Sequence, residues 1–310
     1  MHAFVFPGQG SQAVGMGLDL IREFPACRAT FEEADEALGF SLSRLCFTGP
    51  ESELQLTATA QPAILTASVA ALRALGEAGL RPAVVAGHSL GEYSALVAAR
   101  ALKFRDAVVL VHKRGLYMQE AVPVGQGAMA AIMGLEHEIV EQICSEVTNG
   151  NGRMVATANL NAPGQTVVSG HSDAVDKAIA LCQQRGARRA IRLAVSAPFH
   201  CGLMAPAARK LSADLEDVTF ADLEVPLVAN VDARAIRSGE SARKALLEQV
   251  TAPVDWEGCV RTLAAMGVVK ALEVGPGKVL SGLIKRIEPR IVCAAAGDSA
   301  SVASAKEFLS

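Results

Sequence analysis

The sequence predicts an α/β fold in which helices cover both faces of a parallel sheet, with a small second domain inserted into it. Apolar runs alternate with helical patterns in the first and last parts of the 310-residue chain, an order typical of parallel sheets. Between them the order becomes β-α-β-β-α-β, which is typical of a ferredoxin-like unit. We therefore expect a large domain of residues 1–125 and 197–310, and a ferredoxin-like small domain of residues 126–196.

The elements of the large domain follow from apolar runs, turn residues and helix-start signals. Its first part is expected to contain a strand at 2–6, a glycine-rich loop at 7–12, helices to about residue 80 (one begun by Gln61 and Pro62), a strand at 83–86 and a helix at 105–121. Its second part is expected to contain a helix at 203–216, a strand at 225–231, helices at 241–250 and 255–266, a strand at 269–274 and one long helix after Gly277.

The small domain is delimited in the same way. It is expected to contain strands at 128–134, 154–159, 165–169 and 189–195, and helices at 136–147 and 172–186. Ser172 or Asp173 would cap the second of these helices.

The most informative motif is G-x-S-x-G at residues 87–91, between an apolar strand and a helix-forming run. Glycines at both ends leave room for a sharp turn, so the hydroxyl of Ser89 can project from the end of a sheet. Amides at the start of the following helix could then hold a negatively charged oxygen. The motif indicates a serine acyl-transfer site, and a tight turn with an incidental serine is the alternative.

Such a serine needs a base, and the chain has six histidines. Five of them have another explanation. His2 is terminal, and His88 is adjacent to the serine and expected to point away from it. His112 falls on the polar side of a helix, and His137 and His171 lie at helix starts. Elimination leaves His200, at the crossing between the two predicted domains, where clefts commonly lie. In ordinary surroundings its pKa would be about 6.5. Asp255 could orient its ring or simply cap a helix, and a backbone carbonyl would serve equally well.

Arg114 lies in the apolar stripe of the helix at 105–121. A guanidinium on a buried face is costly unless it is paired. Either an internal carboxylate pairs with it, or it receives a ligand carboxylate in a two-pronged grip. The nearby serine favours the second interpretation, an acyl group with a free carboxylate. Gln9 and Gln61, at loop ends, are further candidates for lining the cleft, and the Gln9 amide is a candidate second oxyanion donor.

Composition narrows the classes of partner. The net charge of −3 and pI near 6.1 argue against nucleic acid, and no apolar run approaches the roughly 20 residues of a membrane span. The seven cysteines are scattered without a C-x-x-C pair, so neither a zinc site nor a disulfide framework is expected. No secretory signal is visible at the N-terminus. We expect a cytoplasmic protein without a metal or cofactor.

Together these motifs resemble the malonyl-CoA:acyl carrier protein transacylase family over essentially the whole chain. The segments that carry the resemblance are 6–12, 59–63, 87–93, 114–115, 159–165, 198–200 and 273–277. The resemblance implies an α/β-hydrolase-like large domain with the site beside the inserted domain. It also implies ping-pong transfer of malonyl from CoA to the phosphopantetheine thiol of acyl carrier protein, supplying fatty acid biosynthesis, by a monomer that needs no cofactor.

The resemblance also assigns roles to residues of this chain. Ser89 would be the nucleophile and His200 the base. Amides of Gln9 and Leu90 would form the oxyanion hole, and Arg114 would hold the malonyl carboxylate.

Further roles concern the surroundings of the histidine. The main-chain carbonyl of Gln249 would orient His200, and Gln61 and Asn159 would be secondary binding residues. Many bacterial members have serine where this chain has Phe199, so we expect Phe199 to crowd the carbon between the two carbonyls and disfavour methylmalonyl. A second departure is Ala252-Pro253 where Asn-Pro is usual.

Two other functions fit part of the pattern. A serine esterase or thioesterase would release malonate to water, although no histidine follows residue 200 and no clear aspartate lies between nucleophile and base. A non-catalytic carrier-binding protein would not need the serine, the histidine and the arginine together. An acidic carrier protein could contact basic residues on either of two surfaces: 185, 188, 189 and 192, or 285 and 286.

Overall fold

The computed structural model describes residues 1–149, 152–195 and 197–310, which form two β-sheets and their covering helices. In spatial order, the strands of the first sheet are β11 (Val292–Ala296), β10 (Lys270–Val274), β1 (His2–Phe6), β2 (Val84–Gly87), β7 (Leu227–Val228) and β8 (Ala235–Ile236). Neighbours from β11 to β7 pair in parallel, and β8 pairs with β7 in the antiparallel direction. The predicted α/β fold with a parallel sheet is therefore confirmed.

The second sheet carries the predicted β-α-β-β-α-β order. In spatial order its strands are β6 (Arg189–Arg192), β3 (Gly127–Met133), β5 (Gln165–His171), β4 (Val155–Ala162) and β9 (Val254–Asp255). The first four pair in the antiparallel direction, whereas β9 comes from the C-terminal part of the chain and runs parallel to β4. The domain limits at 125/126 and 196/197 stay predictions, and residue 196 lies outside the described residues.

The helices lie between the strands along the chain, singly or in groups. In chain order they are α1 (Leu20–Glu23), α2 (Pro25–Leu38), α3 (Leu42–Thr48), α4 (Glu51–Leu54), α5 (Thr57–Glu77), α6 (Gly91–Ala98), α7 (Phe104–Glu120), α8 (His137–Asn149), α9 (Ser172–Gln184), α10 (Ala205–Glu216), α11 (Gly239–Gln249), α12 (Trp256–Ala265), α13 (Val279–Ile287) and α14 (Ser299–Leu309). A short 3₁₀ turn, Gly202–Met204, precedes α10. No helix among the described residues has both the length and the apolar character needed to cross a bilayer.

Apolar cores lie on both faces of the first sheet. Along β1, Phe4 and Phe6 pack into one core while Ala3 and Val5 pack into the other. Because successive side chains of a strand point to opposite faces, both faces are covered. This burial explains why the central strands are uninterrupted apolar runs in the sequence.

The start of α5 differs from its prediction. The helix begins at Thr57, and Pro62 lies inside it rather than in its first turn. Proline has no N–H, so it cannot bond the carbonyl of Ala58 four residues earlier. The ring Nδ1 of His112 on α7 makes that bond instead, at 2.8 Å. A contact from a neighbouring helix therefore compensates the interior proline, and gives His112 a structural partner.

Three other expectations need correction. The predicted final helix is divided into α13, β11 and α14, and Pro289 follows the end of α13. The predicted strand 225–231 pairs only over Leu227–Val228. The N-cap of α9 is His171, which makes no side-chain capping bond, and Asp173 lies inside the first turn, where its Oδ1 accepts from the Ala174 amide at 3.0 Å.

Candidate active site

The G-x-S-x-G motif forms the expected turn between β2 and α6. A Cβ on Gly87 would lie 2.0 Å from main-chain atoms of Gly91, and a Cβ on Gly91 would lie 2.1 Å from the carbonyl oxygen of Phe6. Only glycine fits at either position. Ser89, between them, has a φ of 52°, a left-handed conformation that costs free energy in a residue with a side chain. The surrounding fold therefore holds this serine in a strained turn.

The side chains of Ser89 and His200 are hydrogen-bonded. The distance between Ser89 Oγ and His200 Nε2 is 2.7 Å, and that between His200 Nδ1 and the carbonyl oxygen of Gln249 is 2.8 Å. Because a carbonyl oxygen only accepts, Nδ1 carries the ring proton and Nε2 accepts from the serine hydroxyl. Asp255 instead caps α12, accepting from the Gly258 amide at 2.8 Å. A main-chain carbonyl thus fixes the ring in the orientation that a general base requires.

The pKa of His200 differs from the value of about 6.5 that ordinary surroundings would give. Burial, with the positive charge of Arg114 as the next cause, lowers the pKa of His200 to about 3. The hydrogen bond to the Gln249 carbonyl acts in the opposite direction but is weaker. The imidazole is therefore neutral at pH 7 and free to accept a proton.

The two amides expected to form an oxyanion hole lie at a helix start and in a loop. Leu90 is the N-cap of α6, and Gln9 is in the loop that follows β1. Within the described residues, neither amide N–H donates a hydrogen bond. Unpaired amides at a helix start attract negative charge. The side chain of Gln9 is held separately, by a bond from its Nε2 to Thr57 Oγ1 at 3.2 Å.

Arg114 is buried without a direct carboxylate partner. Its side chain is 2% exposed. Nη1 donates to Gln61 Oε1 at 2.7 Å, and Nη2 donates to Gln249 Oε1 at 2.9 Å and to Ser89 Oγ at 3.3 Å. Among the described residues no acid forms an ion pair with it, and its Nε has no partner. Neutral amides orient the guanidinium, and its charge stays available beside the serine.

These side chains share one cavity of about 350 Å³. Most of the predicted site residues line it: Gln9, Gln61, Ser89, Arg114, Asn159, Phe199 and His200. Other lining residues come from a helix and from the second sheet or its end: Met118 of α7, Met129 of β3 and Leu193 just after β6. The cavity therefore lies between the turn at Ser89 and the second sheet.

His88 is among the residues that line this cavity, and its ring contacts two residues outside that set. Its Nε2 lies 2.9 Å from Asn161 Oδ1 on β4, and its ring packs 5.7 Å from that of Trp256. Burial lowers the pKa of His88. These two contacts hold the ring against β4 and α12.

A hydrogen-bond network that was not predicted from the sequence lies beneath the serine. Asn230, just after β7, accepts from the Ser89 amide at 2.8 Å and donates to the Gly87 carbonyl at 2.7 Å. The side chain of Gln249 donates to the Ser89 carbonyl at 3.0 Å and to Glu92 at 2.9 Å. These bonds fix both ends of the turn. Glu92, as the one charged residue in the apolar run of α6, is the only one of the three that the sequence pattern could have indicated.

Comparisons with known proteins identify the family of this chain. Residues 3–302 match the acyl transferase domain family. The chain is 49% identical over 307 residues to the malonyl CoA-acyl carrier protein transacylase of Escherichia coli (strain K12), with 99% of each chain covered. The solved structure of the malonyl CoA-acyl carrier protein transacylase from Coxiella burnetii is similar with a TM-score of 0.96 and 44% identity, covering 99% of this chain and 97% of that one.

A further solved structure contains a malonyl-transacylase in complex with a type II PKS acyl-carrier protein. It is similar with a TM-score of 0.96 and 48% identity, and 99% of both chains is covered. The resemblance carried by the sequence motifs therefore extends over the full length and fold of these relatives.

Proposed function

This chain belongs to the malonyl CoA-acyl carrier protein transacylases of the acyl transferase family, and on that premise we propose that it transfers malonyl from CoA to the phosphopantetheine thiol of acyl carrier protein through an ester on Ser89. One observation carries the proposal. The Ser89 hydroxyl contacts a neutral imidazole at 2.7 Å and, at 3.3 Å, a guanidinium that has no direct carboxylate partner among the described residues. A nucleophile with a base on one side and a carboxylate receptor on the other suits a short diacid thioester.

In the first half-reaction, Arg114 binds the free carboxylate of malonyl-CoA and His200 takes the Ser89 proton as Oγ attacks the thioester carbonyl. The amides of Leu90 and Gln9 hold the oxyanion. As the tetrahedral intermediate collapses, the CoA sulfur leaves and takes the proton from Nε2. Because the guanidinium lies so close to Oγ, it favours acyl groups whose carboxylate is one carbon from the carbonyl.

In the second half-reaction the carrier thiol replaces CoA. It gives its proton to His200 and attacks the malonyl-serine ester, and Ser89 recovers the proton. One thioester replaces another, so the free energy of transfer is near zero and hydrolysis is the competing loss. The burial of His200 and the half-buried position of Ser89 in the cavity support the exclusion of water that this step requires.

The proposal extends to the setting of the reaction. We propose a cytoplasmic monomer with an α/β-hydrolase-like large domain and a ferredoxin-like insert, which supplies malonyl groups for fatty acid biosynthesis. Every proton and acyl group in the two half-reactions moves between Ser89, His200 and the two thiols, so no step requires a metal or an organic cofactor. Gln61 and Asn159 line the cavity and are proposed as secondary binding residues.

Initial-rate kinetics test the transfer. Malonyl-CoA and the phosphopantetheine form of acyl carrier protein are varied together, and formation of malonyl-carrier and of free malonate is followed. Parallel double-reciprocal lines, with transfer much faster than hydrolysis, are expected. Malonate release that does not depend on the carrier would identify a thioesterase, and no turnover of malonyl-CoA would identify a non-catalytic binding protein.

The pH dependence follows from the lowered pKa of His200. A histidine that titrates at about 3 stays neutral as the pH falls through 6.5. The rate of Ser89 acylation at saturating malonyl-CoA should therefore be nearly constant between pH 7.5 and pH 5, measured by rapid quench. Loss of half the rate near pH 6.5 would contradict this assignment.

Protein stability must be followed in the same buffers. The unfolded chain, with a histidine pKa of about 6.5, binds more protons than the folded chain between that pH and about 3. The contribution of His200 to stability is thus present above pH 6.5 and is lost as the pH falls. Circular dichroism at each pH separates unfolding from a true change in the acylation rate.

Substitution of Phe199 tests the proposed acyl selectivity. Its ring lines the cavity beside His200 and is 8% exposed. Phe199→Ser would open space for one more methyl group, and a methyl-sized difference in an apolar pocket changes selectivity by roughly 10- to 200-fold. We expect the ratio of kcat/KM for malonyl-CoA to that for methylmalonyl-CoA to fall by at least about tenfold. An unchanged ratio, in a variant that folds normally, would remove Phe199 from the selectivity determinants.

A further inference from the structure

Glu92 is a buried carboxyl group that the proposed mechanism does not use. It lies in the first turn of α6 and is 1% exposed. Its Oε2 accepts from Gln249 Nε2 at 2.9 Å and from the main-chain amide of Asn230 at 3.1 Å. Its Oε1 is buried and has no partner among the described residues. A buried carboxyl group that is only half hydrogen-bonded is costly, so its position requires an explanation.

Gln249 connects Glu92 to Arg114. The amide donates through Nε2 to Glu92 and accepts through Oε1 from Arg114 Nη2 at 2.9 Å. One amide group therefore separates the carboxyl group from the guanidinium. Both side chains are buried, where opposite charges attract more strongly than they do in water. Since Arg114 has no direct carboxylate partner in the described chain, Glu92 supplies its compensating charge through this amide.

Few other groups near Glu92 can change charge at neutral pH. The charged and titratable side chains that face it come from four elements: Arg114 of α7, Tyr93 of α6, Cys259 of α12 and Asp232 after β7. Burial raises the pKa of Tyr93 to about 12 and that of Cys259 well above its usual range. Burial also raises the pKa of Glu92, to about 7, against the opposing hydrogen bonds and the charge of Arg114.

We propose that Glu92 is the internal counter-charge of Arg114, and that a substrate carboxylate bound by Arg114 drives a proton from solvent onto Glu92. This inference rests on the proposed malonyl transfer. Without the proton, two carboxylates would share one guanidinium in a site from which water is largely excluded, and like charges disfavour the ionised form. The protonated Glu92 keeps its place against Gln249, and Arg114 turns its charge fully to the ligand.

Proton uptake on binding provides the test. The Ser89→Ala variant, which cannot be acylated, is titrated at pH 7 with malonyl-CoA and with acetyl-CoA in buffers of different ionisation enthalpy. Acetyl-CoA has the same CoA group and lacks only the carboxylate, so it is the matched control. Burial raises the pKa of Glu92 to about 7, so Glu92 is partly ionised at pH 7, and binding of malonyl-CoA should be accompanied by uptake of a fraction of a proton more than binding of acetyl-CoA. Adding Glu92→Gln should abolish this excess.

The outcomes separate the two proposals. Equal uptake with both ligands, or an excess that survives Glu92→Gln, would overturn the role of Glu92 and leave malonyl transfer intact. Failure to bind malonyl-CoA at all would contradict the proposed function itself. If the protein with Glu92→Gln does not fold, the Ser89→Ala variant alone is titrated at about pH 5.5, where Glu92 is already protonated. The excess proton uptake must disappear at that pH, and its persistence would overturn the inference.

Discussion

Replacing Arg114 with alanine is expected to lower kcat/KM for malonyl-CoA by roughly 30- to 3,000-fold, while kcat/KM for acetyl-CoA changes little. Removing one partner of a buried charge pair costs about 2–5 kcal/mol, which corresponds to that range. Acetyl-CoA has no carboxylate and loses no such partner. The measurement is the rate of Ser89 acylation at subsaturating concentrations of each thioester. The preference for malonyl over acetyl should disappear.

Two further variants make this result specific. Arg114→Lys keeps the charge but lacks the planar fork held by Gln61 and Gln249, so it should recover only part of the preference. Arg105→Ala removes another arginine from α7, an exposed one that pairs with Glu36, and should leave both rates unchanged. Equal losses for malonyl-CoA and acetyl-CoA in Arg114→Ala would show that the arginine acts on the serine or on folding, and would refute carboxylate recognition.

Replacing His200 with alanine is expected to slow acylation of Ser89 by about 100- to 10,000-fold, the usual contribution of a positioned general base. The carboxylate site and the oxyanion amides remain, so KM should change far less than kcat. Single-turnover experiments with malonyl-CoA measure the acylation step directly. A variant that acylates at the original rate would exclude His200 as the base.

The matching control is His2, a histidine in the first sheet. His2→Ala removes a ring at the start of β1, where it contacts only the Arg81 carbonyl among described polar groups. This variant should transfer malonyl normally. Circular dichroism of both variants establishes that any loss in His200→Ala is not caused by unfolding.

The sequence indicates the nucleophile because its motif is local, and it indicates the base because the chain has few histidines. The turn at Ser89 needs glycines that the structure shows to be in close contact with other backbone atoms, and such a motif is readable without a fold. His200 emerges from only six histidines, most of which have a structural explanation. Their 2.7 Å contact joins residues 111 positions apart, and the order of the predicted elements was enough to suggest it.

The supporting network was not readable in the same way. Asn230 and Gln249 are ordinary polar residues at the ends of elements, and their partners lie more than 130 positions away. Only the folded chain brings them beneath the serine. The lowered pKa of His200 could not be predicted either, because it depends on burial of the ring and on the charge of Arg114. Neither can be inferred from the surrounding sequence.

Fold errors arose where tertiary contacts outweigh local preference. Pro62 is a helix-start signal in the sequence, yet it lies within α5 because His112 bonds the carbonyl that the proline leaves free. The alanine-rich run that forms β11 resembles a helix locally, but it pairs with β10 along the edge of the first sheet. Pairing with a neighbouring strand cannot be deduced from the composition of a five-residue segment.

The most direct test of the account is to find where the malonyl group resides between the two half-reactions. The protein is mixed with malonyl-CoA, quenched and analysed by intact mass and peptide mapping, before and after addition of acyl carrier protein bearing its thiol. The account predicts one malonyl group on Ser89, absent in Ser89→Ala, which the carrier thiol removes much faster than water does. No covalent adduct, or an adduct on another residue, would contradict it.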